Sequence, residues 1–412
     1  MNLTINRQQL VTELETLASF SDAPAPAVTR IVFSPVDLNA RAYLKSLCGS
    51  AGLTVREDPV GNTFARWTGR EPNLPAIGTG SHTDAIPFSG RYDGTAGVLG
   101  GLEAIRALQR AQLRPRRSIE LLIFTAEEPT LFGIGCLGSR LLSGSLRAET
   151  ARQLKNRDGK TLDEIRSEAG FGDSLDRVRL PPGYYAAFVE LHIEQGAILE
   201  RRSIPLGVVT AIAAPASLRI AIEGEGGHAG AVLMPERRDA FLAAAEIALA
   251  VEQSAKSTGA IDTVGTVGVC EVFPGAINSI PSRVRIEVDF RDTDLARRDA
   301  ALAGIFKNCD ELAARRRVTI EREMINADAP IQCSPLVVDA LTRACREHGF
   351  ESLPMVSRAY HDSLFMSQIA PVAMLFIPCR NGVSHRPDEY AAPEDLARGS
   401  LVLAQALADL AG

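Results

Sequence analysis

The 412-residue chain carries 44 Lys and Arg against 50 Asp and Glu, for a net charge of −6, with 46% hydrophobic and 23% charged residues. This is an ordinary globular composition, long enough for two domains that each bury a core. The basic residues are dispersed among acids, which argues against a nucleic-acid partner, and no apolar run approaches the roughly 18 residues of a membrane span.

The chain opens on "MNLTINRQQLVTELETLASF", whose leucines and valine recur at helical spacing with acids between them. With no basic and apolar leader ahead of it, this reads as a first helix, and the expected compartment is the cytoplasm. Seven cysteines, an odd number without a C-x-x-C pair, fit the same reducing setting. Next, "LPAIGTGSHTD" (74–84) and "SIELLIFTAEE" (118–128) are short apolar runs ending in polar clusters. Between them, Val98, Leu102, Ile105 and Leu108 mark one helical face. Apolar strands joined by amphipathic helices predict an α/β fold with a covered central sheet, whose sites gather beyond the carboxyl ends of the strands.

From about 213 to 328 the texture changes to strand, helix, two strands, helix and strand, the order of a ferredoxin-like unit. The first texture then resumes. The expected division is a catalytic domain over 1–212 and 329–412, interrupted by an inserted α+β domain over 213–328.

Five of the six histidines sit at strand ends or in Gly- or Asp-containing loops. His82, Asp84 and Asp93 follow an apolar strand, a donor set that suits a divalent metal or, equally, a salt-bridged turn. In "FVELHIEQG", Val189, Leu191 and Ile193 share one strand face and Glu190, His192 and Glu194 the other, either a wet face or a ligand with partners that orient its ring. His385 lies in a loop before a C-terminal helix that Pro393 opens. Glu127 and Glu128 leave a strand in adjacent positions. Their side chains diverge, so one can ligate a cation while the other handles protons; a solvated turn is the plain alternative.

Taken together, "GSHTD", "YDGTAGVLGGLEA", "AEEPT", "ELHIEQG", "GGHAG", "NSIPSRVRIEVDFRD" and "SHRPDEY" resemble, in order, the amidase/hydantoinase/carbamoylase family of co-catalytic metallopeptidase-like enzymes. The resemblance runs from about 78 to 395. It implies a metallopeptidase-like catalytic domain, a ferredoxin-like dimerisation domain, a homodimer and two divalent cations per subunit. Manganese is the expected metal, with zinc, cobalt or nickel as alternatives. By the same resemblance His82, Asp93 and His192 hold one cation, and Asp93, Glu128 and His385 the other. Glu127 becomes the general base, with Asp84 supporting His82. Gln195, His228, Asn278 and Arg291 become substrate contacts, His228 serving the other subunit's oxyanion. From the residues alone Arg291 is solvated surface. In the family it grips a substrate carboxylate.

Two departures narrow the expected substrate. Pro129 and Thr130 follow the glutamate pair where relatives keep a third acid, and "AYHDS" replaces the usual "GAGHDA". Both resemble the branch of the family that cleaves the ureido bond of ureidoglycolate, which makes Tyr360 and His361 pocket residues. The alternatives are hydrolysis of N-carbamoyl-L-amino acids or allantoate and, more remotely, a metallopeptidase or deacylase, or a non-catalytic metal-binding dimer.

Overall fold

The computed structural model describes residues 2–412, which form two compact units. The larger comprises 1–210, 333–355 and 361–412; the smaller comprises 211–332 and 356–360.

The larger unit is built on a mixed sheet. Its strands are β1 (Thr54–Glu57), β2 (Thr63–Trp67), β3 (Ala76–His82), β4 (Ile119–Phe124), β5 (Tyr185–Ile193), β6 (Leu206–Ile212) and β7 (Val372–Ile377), in the order β6-β7-β5-β3-β4-β2-β1. The four central strands β7, β5, β3 and β4 are mutually parallel, while β6 and β2 pair antiparallel with them at the flanks and β1 pairs antiparallel with β2. Helices cover the sheet, and every residue of β3, β4 and β7 is buried, β7 as an unbroken apolar run.

Three helices bear on the layout. α1 (Arg7–Ser19) is capped by Asn6, whose side chain accepts the Gln9 amide. α2 (Thr95–Arg110) links β3 to β4 and is buried along nearly its whole length. α3 (Pro393–Ala411) opens on Pro393 as expected, with Glu394 and Asp395 in its first turn facing the positive end of the helix dipole. β4 and β5 lie on opposite sides of β3, so the strand order reverses there. A crevice beyond the carboxyl ends at such a reversal is where α/β sheets place ligands.

The smaller unit has the expected β-α-β-β-α-β order. Strands Ala214–Glu223, Val264–Phe273, Arg283–Asp292 and Thr319–Ala327 form an antiparallel sheet in which Ala214–Glu223 and Arg283–Asp292 are central. Helices Ala240–Ser257 and Leu295–Arg316 cover one face. Leu218, Ile220, Ile222, Val284, Ile286, Val288 and Phe290 pack there against Ile247, Val251, Leu302 and Ile305. Each such side chain contributes about 1.5–3 kcal/mol by leaving water. The alternation that turns Val284 through Phe290 inward puts Arg291 on the opposite face. Among the described residues no helix is long and apolar enough to cross a membrane.

Candidate metal centre and its surroundings

The carboxyl ends of β3, β4, β5 and β7 deliver the predicted residues to one place. β3 ends on His82; β4 runs into Glu127 and Glu128; β5 carries His192 and leads to Gln195; the segment after β7 brings His385. Asp93 enters just ahead of α2 and is the hub. Its Oδ1 lies 3.1 Å from His192 Nε2 and 3.4 Å from His82 Nε2, while its Oδ2 lies 3.1 Å from His385 Nε2. His385 Nε2 is also 3.3 Å from Glu128 Oε1. Two donor groups result, His82–Asp93–His192 and Asp93–Glu128–His385, each with ligand atoms within 4.8 Å of one another.

The tautomers suit cation binding. His192 Nδ1 is 2.9 Å from the Ile193 carbonyl and His82 Nδ1 is 3.1 Å from the Asp84 carbonyl. A carbonyl oxygen only accepts, so both Nδ1 atoms carry hydrogen, which leaves Nε2, on the Asp93 side, as the atom each ring can offer a cation; that of His192 also accepts the Gly94 amide at 3.1 Å. Gly94 makes room for this. Its φ is +64°, and a Cβ there would stand 2.5 Å from His82 Nε2. The buried His82 and His192, the partly exposed His385 and the carboxylates present form donor sets that fit divalent cations.

Asp84 is fully buried and does more than support His82. Its Oδ1 accepts the Glu127 amide at 3.2 Å and its Oδ2 the Glu128 amide at 3.0 Å. The turn that permits this puts Ala126 at φ +54°. Beyond it the glutamates part. Glu128 joins His385, whereas Glu127 Oε2 lies 3.7 Å from His82 Nε2 and its Oε1 accepts from the Cys136 thiol at 3.4 Å.

Burial dominates the electrostatics. It pushes the Glu127 carboxyl well above the usual range, against the His82 charge and with help from Glu128. Burial also works on Asp93, yet its contacts with His192, His385 and His82 outweigh it and hold that carboxyl well below its ordinary value. Contact with Asp93 and then Glu128 lifts the His385 imidazole to about 11.

The remaining predicted residues are distributed over both units. Gln195, at φ +55°, donates from Nε2 to Asp93 Oδ2 at 2.8 Å, and its buried Oε1 accepts no hydrogen bond from the described residues. His361 is buried against the ring of His192, with centroids 4.5 Å apart. On the smaller unit His228 and Asn278 are neighbours, because Ala229 donates to the Asn278 carbonyl at 2.9 Å. His228 Nδ1 accepts the Gly230 amide at 3.1 Å, so a neutral ring keeps its hydrogen on Nε2. Arg291 is not simple solvated surface: it forms a two-pronged pair with Asp289 and lies 5.8 Å from the Tyr360 ring centre.

The bonding of several buried groups around the centre was not anticipated. Glu190 accepts from Ser81 Oγ at 2.7 Å and Ser363 Oγ at 2.6 Å. Glu194 caps the turn at Ile198 and Leu199. The polar face of β5 is therefore dry and fully bonded. Glu190, His192 and His361 also cluster, but both His192 nitrogens are already committed, to Ile193 and towards Asp93. Glu389 and Ser384 adjoin Asp93 as well. Both lie in the motif "SHRPDEY", of which only His385 was given a role.

A metal-binding hydrolase site at the strand ends of an α/β sheet is the class these features define. In agreement, the chain belongs to peptidase family M20/M25/M40, whose profile matches residues 78–409, and it is a metal-dependent amidohydrolase. It is 52% identical to the ureidoglycolate hydrolase of Arabidopsis thaliana, over 99% of this chain and 87% of that protein. Identity to the N-carbamoyl-L-amino acid amidohydrolase of Geobacillus stearothermophilus is 37%, over 97% of each. Among solved structures, that of AtUAH in complex with (S)-hydroxyglycine superposes with a TM-score of 0.90 at 51% identity, covering 99% of this chain and 98% of the other.

Proposed function

We propose that the chain hydrolyses the ureido C–N bond of ureidoglycolate, giving ammonia, carbon dioxide and glyoxylate. The single observation that carries the substrate is the 52% identity to ureidoglycolate hydrolase against 37% to a carbamoyl amino acid hydrolase. The Pro129–Thr130 and Tyr360–His361 departures agree with it.

Two cations per chain, manganese first among them, are assigned to the two donor groups around Asp93. When bound, they supply positive charge that polarises the ureido carbonyl and acidifies water. Glu127 takes the proton of the attacking water. Its largely buried carboxyl, which stands beside His82 and belongs to neither donor group, supports that role, and its raised proton affinity suits returning the proton to the departing nitrogen. Gln195 Oε1 is an unused buried acceptor, which suits a ureido N–H. His228 offers a donor hydrogen on Nε2, as an oxyanion contact requires. Arg291 receives the substrate carboxylate, and Asn278, Tyr360 and His361 are assigned to substrate contact on the family pattern.

A homodimer is the proposed assembly. Leu233, Met234, Phe241 and Leu249 leave large apolar side chains exposed on the smaller unit, which fits a face covered by a second copy. The seven unpaired thiols, six of them buried, fit a reducing cytoplasm. The test of the substrate is ammonia release from ureidoglycolate, allantoate, N-carbamoyl amino acids and dipeptides offered to the manganese-loaded protein.

A further inference from the structure

Glu389 lies four residues beyond His385, is 4% exposed, and belongs to neither donor group. Its Oε1 accepts two consecutive amides, Tyr92 N–H at 2.7 Å and Asp93 N–H at 3.1 Å. Its Oε2 lies 2.9 Å from the Ser384 hydroxyl, which is itself 2.8 Å from Asp93 Oδ2. One carboxylate thus grips the backbone that presents Asp93 and the residue immediately before His385. These segments are almost 300 positions apart in the chain. The slot is tight: a Cβ on Gly90 would fall 2.3 Å from the Glu389 side chain. Tyr92 and Tyr390 reinforce the junction, their rings meeting edge to face at 6.0 Å.

We propose that Glu389 is a positioning residue that holds Asp93 and His385 at one fixed separation and thereby sets the affinity of the cation position formed by Asp93, Glu128 and His385. The inference rests on the two-cation reading above. The two halves of the centre differ in how they are anchored. His82 and His192 are buried, and each is pinned through Nδ1 to a carbonyl at a strand end. His385 has a side chain 44% exposed, sits at φ +58° and hangs on a loop. Loosening Glu389 therefore frees the His385 side while leaving the His82–His192 side anchored. Partners that orient metal ligands are typically worth 10- to 100-fold in affinity.

The test is Mn2+ titration of chelator-stripped full-length protein by calorimetry, with electron paramagnetic resonance reporting whether two ions are coupled. Wild type should take two ions per chain. Glu389→Ala should bind the first within about threefold of wild type and the second at least tenfold more weakly, with the coupled signal lost at equimolar loading. Glu389→Gln should restore the second ion, because its carbonyl oxygen accepts both amides and its NH2 meets Ser384. Should Glu389→Ala not fold, Ser384→Ala removes only the hydroxyl link and should weaken the second ion alone. Unchanged second-ion affinity in Glu389→Ala or in Ser384→Ala overturns the proposal, as does equal weakening of both ions or a Gln variant as poor as Ala. A wild type that binds one ion overturns the two-cation reading itself, and this inference with it.

Discussion

Asp84 and Glu127 are joined through the backbone: the Asp84 carboxylate accepts the Glu127 amide at 3.2 Å, and its second oxygen accepts the following amide at 3.0 Å. One buried acid therefore fixes the turn from which two other acids diverge. This is why adjacent glutamates persist at the end of a buried strand. Their backbone is held in common, while their carboxylates face different partners and are kept apart.

The first prediction concerns that divergence. Glu127→Gln preserves shape and removes only the proton acceptor. Turnover should fall roughly 100- to 10,000-fold while bound metal stays unchanged. Metal analysis beside a kinetic assay checks both halves. Loss of metal would exchange the roles given to Glu127 and Glu128.

Gly94 gives a second. Its φ of +64° costs a side-chain-bearing residue about 1–2 kcal/mol, and a new Cβ would press on the His82 ring at 2.5 Å. Gly94→Ala should lower stability in urea unfolding by at least that amount and deplete bound manganese. Wild-type metal content in this variant would count against His82 as a ligand.

Arg291 tests substrate binding. Its fork is already held in plane by Asp289, with Nε to Oδ1 at 2.7 Å and Nη2 to Oδ2 at 3.1 Å. Lysine keeps the charge but loses the fork. Arg291→Lys should raise KM for ureidoglycolate about tenfold or more, the value of one charged hydrogen bond, with a smaller change in kcat. An unchanged KM would return Arg291 to the surface role its sequence context suggested.

Metal removal is the fourth. Chelation should abolish turnover, and added Mn2+ should restore it. Each ion should also stabilise the fold by about 2.7 kcal/mol at a free concentration 100 times its Kd, read as a rise in melting temperature. A melting temperature indifferent to Mn2+ would contradict the donor groups.

Much of this was legible in the sequence because it depends on short-range pattern. The apolar runs ending in "SHTD" and "TAEE" marked strand ends, and the alternation in "VRIEVDFRD" separated the core face from Arg291. The order of elements announced the ferredoxin-like unit. What stayed hidden depends on long-range closure. Nothing in "FVELHIEQG" tells that Glu190 meets Ser81 and Ser363, or that the polar face of β5 is dry. Likewise the tie from Glu389 to the Asp93 amide spans two distant segments. Left-handed backbone at Ala126, Cys136 and Gln195 was equally invisible, since none of these residue types signals it. Such strain is held by the surrounding tertiary bonds, which composition and periodicity do not encode.

The most direct test is a side-by-side assay of the manganese-loaded protein on ureidoglycolate, allantoate and N-carbamoyl-L-amino acids, with ammonia release as the readout. Ureidoglycolate should give the highest kcat/KM, by at least tenfold, with glyoxylate appearing in step with ammonia. A higher kcat/KM for a carbamoyl amino acid or allantoate would contradict the assignment.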